Sequence, residues 1–329
     1  MCVRLAPGSP RIRVKRQLAV FFEYPQVTVA GDSRRCHHFL CYNRYIMLKH
    51  KSIIWVAVFL VVTFVMGLSV YRTIQDETSA DYVVQTNAFF APFEFYEDRK
   101  IVGVDIEIIN RTAKKLNKTI QVNNVEFDTI IDNVEAGKIA DAGAAGLTIT
   151  PAREKKVDFT IPYYTSLQYV IYSSEHSPAP RDGHLVWENL AGSKIGTQTG
   201  STGYIFASEE IGDGALTGTN TEIKGMDSHQ IAADAILSNI IDYAIADELA
   251  AKFIVEKNPG LTALPLYYMG DSVAEDYPVE ESYAIAVNKD RKELLDAFNA
   301  VLDEMLTEDE NGITTIDRLV LKYMGLNDE

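Results

Sequence analysis

Residues Gly146-Leu147-Thr148-Ile149-Thr150-Pro151-Ala152-Arg153-Glu154-Lys155-Lys156-Val157-Asp158-Phe159 decide how this chain is read. They run on to Pro162-Tyr163-Tyr164, and the pattern is a strand end, a turn and a short helix start. Thr148 and Thr150 occupy alternate positions, so on extended backbone their hydroxyls face one side. Pro151 suits the first helical turn, where a missing N–H costs nothing. Arg153 then falls inside that turn, beside free backbone N–H groups and the positive end of the helix dipole. Hydroxyls, N–H groups and a guanidinium at one spot make a receptor for a small carboxylate. Taken alone, the segment is more simply a solvated helix start, with Arg153 one surface charge among Glu154, Lys155 and Lys156. The rest of the chain has to decide.

A chain of 329 residues is long enough for two domains. Residues 1–51 hold ten Lys/Arg and two Asp/Glu, which leaves 21 basic and 44 acidic residues and a formal charge near −23 beyond them. Such a body repels nucleic acid and anionic lipid, so no nucleic-acid partner is expected. Cys2, Cys36 and Cys41 all precede residue 50, so disulfide and thiolate chemistry are excluded from the main body. The six histidines show no metal-ligand spacing. Neither a metal nor a cofactor is expected.

Residues 52–70 carry no charge and are just long enough to span a bilayer. Read from Met47, a basic start, this apolar run and Gly67-Leu68-Ser69 with small residues at −3 and −1 make a secretory signal peptide. Alternatively the run is retained as an anchor in the cytoplasmic membrane, with the basic residues 1–51 held inside. Residues 1–46 show no periodicity, and a start codon called too far upstream is one reading of them. Either way, residues after about 72 are expected on the periplasmic or extracellular side, secreted or membrane-anchored.

Residues 73–80 read as a polar linker. Strands then alternate with helices. Tyr82 to Thr86 and Ile120 to Val125 read as strands, and Asp105 to Leu116 as a helix capped by Asp105. Asp128 to Ala136 has helical spacing with Gly137 as its stop, and Asp141 to Leu147 reads as a buried strand. A second set starts after Tyr164, with strands at 168–172, 194–197 and 242–247 and helices from about 204, at 228–239 and at 248–257. The chain returns through a strand at 282–287 and closes with helices at about 290–306 and 313–324. This alternation predicts mainly parallel sheets, with ligand sites beyond the strand C-termini. The loops at Thr86 to Phe93, Gly146 to Arg153 and Thr197 to Gly203, together with Asp247, all follow strands, which favours one composite site. Gly200-Ser201-Thr202-Gly203 lacks the lysine and length of a phosphate loop.

Over roughly residues 80–325 these pieces, in this order and spacing, resemble the family 3 extracellular solute-binding proteins of the type 2 periplasmic-binding-protein superfamily. The resemblance implies a two-lobed α/β fold. Lobe 1 would be 81–167 plus 279–329 and lobe 2 would be 168–278, joined by a two-strand hinge. It implies an α-carboxylate held by Arg153, with help from Gly146, Thr148 and Thr202, an α-ammonium held by Asp247, and Ala145 and Thr199 among the other ligand-binding residues. Phe90 and Phe127 would sandwich the ligand, although each also suits plain core, and Asp247 also suits a helix cap. Relatives that take basic side chains often carry aspartate where this chain has Asn87. With Gln198 opening the lobe-2 loop, that points to a neutral polar amino acid.

The function so implied is a monomeric protein that captures an amino acid by lobe closure and delivers it to the permease of an ATP-binding-cassette importer. Two other classes compete. A dehydratase on the same fold would need a general acid or base, and Glu94 or Glu248 could serve. A ligand-sensing ectodomain would need a membrane partner, because 51 residues are too few for a cytoplasmic output domain.

Overall fold

The computed structural model describes residues 58–69, 80–176 and 178–326. The expectations for residues 1–51, for both ends of the 52–70 run and for all but the last residue of the linker lie outside the described residues. Residues 58–69 are helical, with Phe59, Phe64 and Met66 exposed. Among the described residues, no helix is long and apolar enough to cross a membrane.

From Ala80 onward, β1 (Tyr82–Thr86) is the expected β-branched strand, buried at its last three residues. A short meander then follows that sequence reading missed: β2 (Phe89–Phe90), β3 (Glu94–Glu97) and β4 (Lys100–Val102). Strands this short show no recognisable period of two. Helix α1 (Val104–Leu116) buries Val104, Ile108, Ile109 and Thr112. Its expected cap, Asp105, requires correction. The capping position is Gly103 at φ 132, where an added Cβ would sit 2.1 Å from the Phe93 carbonyl oxygen. Only glycine fits there. Asp105 instead is the second residue of the helix, in its first turn, and is fully buried.

Strand β5 (Ile120–Asn124) leads through a 3-10 turn at Phe127–Thr129 into α2 (Ile130–Ala136), which stops at Gly137 with φ 60, as its sequence predicts. The apolar run 141–147 yields only a short strand, β6 (Ala142–Gly143), before the backbone turns at Gly146. Helix α3 (Pro151–Glu154) follows, with Thr150 accepting from the Arg153 N–H and Pro151 in the first turn. Strand β7 (Asp158–Phe159) then precedes the long β8 (Tyr164–Ser173).

The second half contains β9 (Leu185–Val186), β10 (Lys194–Gln198), α4 (Thr202–Asp213), β11 (Glu222–Met226), α5 (His229–Leu237), β12 (Tyr243–Asp247), α6 (Glu248–Lys257) and β13 (Leu261–Tyr268). Ser201 and Ser228 cap α4 and α5 by accepting from Tyr204 and Ile231 N–H groups. The chain returns through β14 (Tyr277–Pro278), β15 (Glu280–Tyr283) and β16 (Ala286–Val287), and ends in α7 (Lys292–Met305) and α8 (Thr315–Tyr323). Helix α7 buries Leu294, Phe298, Val301, Leu302 and Met305. Each contributes roughly 1.5–3 kcal/mol of apolar burial.

Two mixed sheets result. The first has the order β5-β1-β6-β16-β7, with β5, β1 and β6 parallel and the returning strand β16 antiparallel. The second has β11, β10 and β12 parallel, then β8 and β13 antiparallel. Strand β8 links them. Its first residues pair with β15, from Tyr164 opposite Tyr283 to Leu167 opposite Glu280, and its remainder pairs with β12 and β13. The molecule therefore has two lobes joined by two crossing strands. The parallel strands β1, β10 and β12 end on Thr86, Gln198 and Asp247, at the cleft between the lobes.

Candidate functional site

Arg153 is 8% exposed, which rules out the simpler reading of a surface charge. Its guanidinium donates to the Thr148 carbonyl (2.8 Å) within lobe 1 and to the Gly200 carbonyl (3.0 Å) in lobe 2. Five N–H donors are available on a guanidinium, so three remain to meet a carboxylate. Burial lowers its pKa, and the carboxylates of Glu281 and Asp247 act in the opposite sense. The two threonines expected on one side of the strand part company. Thr150 caps α3, while the Thr148 hydroxyl donates to Glu281 (2.7 Å) and lies 3.4 Å from the Thr202 hydroxyl across the cleft.

Gly146 adopts φ +54, and a Cβ there would stand 2.5 Å from the Phe90 ring. Its N–H donates to Asp105 (3.1 Å), which also accepts from the Tyr163 hydroxyl (2.5 Å). Asp105 thus braces the Gly146 loop from beneath. Ala145 is buried with Ile130, Val134 and Leu147 in an apolar cluster, so its side chain does not line the cleft.

Asp247 settles the alternative of a helix cap. It stands at the N-cap of α6 but makes no capping bond. Its oxygens accept instead from the Gln168 amide and the Tyr283 hydroxyl. Burial pushes its carboxyl well above the usual range, and the neighbouring Glu281 adds to this, against the two hydrogen bonds and Arg153. Glu281, only 2% exposed, is a residue that sequence reading missed. Alternation along β15 was the available signal: positions 281 and 283 share one face of a strand, and Tyr283 is fully buried.

Asn87 and Gln198 meet across the cleft, the Gln198 amide donating to the Asn87 oxygen at 2.9 Å. Phe90 is buried among Phe93, Tyr283 and His229. Phe127 lies under the Arg153 guanidinium, 5.8 Å from ring centre to Cζ. Two cavities flank Phe127. One of 220 Å³ is lined by Arg153, Leu147 and Gly200. The other, of 170 Å³, is lined by Gln198, the exposed Thr199 and the carboxylate residues Glu126, Asp128 and Asp227. A larger groove of 440 Å³ borders Phe89, Tyr96 and Phe253, but neither Arg153 nor Asp247 reaches it. The two candidate general acids do not face these cavities. Glu94 is fully buried with neither oxygen hydrogen-bonded, and Glu248 is ion-paired with Lys252.

The cleft therefore joins a buried arginine on one lobe to a buried aspartate on the other, behind a glycine loop and two aromatic rings. Residues 82–325 match the bacterial extracellular solute-binding proteins, family 3. The chain belongs to that family. As a family 3 solute-binding protein it has the type 2 periplasmic-binding-protein fold. It is 32% identical over 232 residues to the arginine-binding extracellular protein ArtP of Bacillus subtilis, covering 70% of this chain and 81% of that one. A probable histidine-binding protein of Campylobacter jejuni is 30% identical over 246 residues, covering 75% and 86%. Among solved structures, an ancestral arginine-binding protein is 30% identical and covers 74% of this chain and 97% of its own. Its TM-score is 0.61 in the arginine-bound form and 0.59 in the glutamine-bound form.

Proposed function

We propose that this solute-binding protein captures a free amino acid between its lobes and delivers it to the permease of an ATP-binding-cassette importer, without catalysis. The observation that carries the reading is that Arg153 and Asp247, both buried and borne by different lobes, lie near enough for each to act on the other's charge. A guanidinium fork matches an α-carboxylate bidentately, and a buried carboxylate is costly unless an ammonium group meets it. A molecule bearing both groups bridges both lobes and favours the closed arrangement by its differential contacts. The division into lobe 1 (81–167 plus 279–329) and lobe 2 (168–278) belongs to this reading. So does the assignment of Gly146, Thr148 and Thr202 to the carboxylate end, of Thr199 to the ligand-binding set and of Phe90 and Phe127 to the walls. The protein acts as a monomer outside the cytoplasmic membrane, secreted or held there by residues 52–70.

Two observations bear on the ligand's side chain. The Asn87–Gln198 hydrogen bond offers a neutral polar surface and supports a neutral polar ligand such as glutamine. Beside it, Glu126, Asp128 and Asp227 line one cavity with no basic residue among its lining, which supports a cationic side chain. The names of the relatives favour the second, and we take a basic amino acid as the leading reading. A thermal-shift panel of the twenty amino acids on the purified protein decides the matter. Arginine, lysine or histidine should raise the melting temperature in proportion to the logarithm of ligand concentration. A response to glutamine or asparagine alone makes the ligand neutral, and a flat panel rejects amino-acid binding.

A further inference from the structure

Asp247 and Glu281 come from different strands, β12 and β15, yet both accept hydrogen bonds from a single nitrogen, the Gln168 amide. All three side chains are almost fully buried. The second oxygen of Asp247 takes the Tyr283 hydroxyl and that of Glu281 takes the Thr148 hydroxyl. The amide oxygen of Gln168 is left without a partner. A side-chain nitrogen thus stands between two carboxylates at the expense of its own carbonyl, in the position where a ligand nitrogen could donate to both. Two buried carboxylates this close do not both ionise readily, so one proton is shared by the pair.

We propose that Asp247 and Glu281 form a paired-carboxylate seat that holds one proton and exchanges it for the ammonium group of the captured amino acid. This rests on the amino-acid reading above and adds Glu281 to the residues that select the ligand. The pair shares the proton, and the hydroxyl facing the protonated oxygen (Thr148 on Glu281, Tyr283 on Asp247) must then turn from donor to acceptor. When the ammonium docks, the carboxyl O–H breaks heterolytically, its proton passes to solvent, and both carboxylates face the ligand ionised. Other charged and titratable groups around the seat are Arg153 from α3, Tyr283 from β15 and Glu94 from β3, with Asp105 and Tyr163 behind Glu94. Glu94 is itself driven towards its neutral form by burial and by the charges of Asp105 and Asp247, so it does not supply a competing anion. The pair also explains why burial and its partner raise the Asp247 carboxyl although Arg153 lies near.

The test is isothermal titration of the full chain with L-arginine from pH 6 to 8, in phosphate and in Tris, whose ionisation enthalpies differ. About one proton should be released per arginine bound, with affinity rising as pH rises, up to tenfold per unit for one proton. Glu281→Gln should bind with a flat pH profile and no proton release. Glu281→Asp, which keeps the charge, should restore the release and serves if the glutamine variant does not fold. Arginine binding by the unaltered chain without proton release, or equal release from Glu281→Gln, overturns the paired seat and leaves the amino-acid reading intact. If arginine does not bind, the titration is repeated with the amino acid that the panel selects. A panel in which no amino acid binds overturns both.

Discussion

Arg153 and Gly200 meet at one hydrogen bond, and each can be altered separately. Arg153→Ala removes the charged donor and orphans the carbonyls of Thr148 and Gly200. At about 1.5–3 kcal/mol per charge-assisted bond, loss of a bidentate pair should weaken amino-acid binding by at least roughly a hundredfold, measurable by titration calorimetry. Arg153→Lys keeps the charge without the planar fork and should recover only part of that loss. Wild-type affinity in the alanine variant removes Arg153 from the carboxylate role. Gly200 has φ +78, and a Cβ there would meet the Asp128 Cβ at 2.8 Å across the cleft. Gly200→Ala should therefore obstruct closure. We expect about tenfold weaker binding from the crowding against Asp128 that arises only on closure, and a drop of a few degrees in the melting temperature of the free protein from roughly 1–2 kcal/mol of left-handed strain, which acts in open and closed forms alike. A large drop in that temperature with unchanged affinity would place Gly200 in the fold and not in the closing motion.

At the scale of elements, the two crossing strands carry more than connectivity. Strand β8 contributes Gln168 and β15 contributes Glu281 and Tyr283, so the hinge itself supplies the partners of Asp247. Helix α1 has a comparable double role, because its first turn places Asp105 beneath the Gly146 loop. Burial raises the Asp105 carboxyl to about 6, against the bonds from Tyr163 and Gly146. A raised carboxyl binds its proton more readily in the folded state. Its favourable contribution is therefore present below the unfolded pKa, near 3.8, and is lost as pH rises to about 6. The loss is on the order of 3 kcal/mol at 1.36 kcal/mol per unit. Asp105→Asn should then gain stability relative to the unaltered chain as pH rises from 4 to 6 and hold a constant difference above that, as read by urea denaturation. A difference independent of pH rejects this account. His229, lowered to about 4 by burial, acts with the opposite sign and destabilises the fold as pH falls from 6.5 to 4. The comparison must therefore leave His229 in place.

At the scale of the whole molecule, the lobes touch through pairs far apart in sequence: Asn87 with Gln198, Thr148 with Thr202, and Arg153 with Gly200. Ligand capture, proton exchange and closure would share these few contacts, so small changes at the cleft should move the equilibrium between open and closed forms. The sequence alone determined what local rules govern. Strand and helix alternation gave the fold class, Pro151 marked the first turn of α3, and Gly137 stopped α2, because each signal acts within three or four residues. It also displayed Arg153 and Asp247 at strand and helix ends, where chain order placed them in one cleft. It could not separate Asp247 as a cap from Asp247 as a buried ligand group, since both need the same residue at the same position. Nor could it bring Glu281 to Asp247 or place Asp105 beneath Gly146. Those pairings depend on strand order and on which face of β15 and α1 turns inward, and only the packed tertiary structure decides that, by burying charges beside partners that lie 34 to 41 residues away.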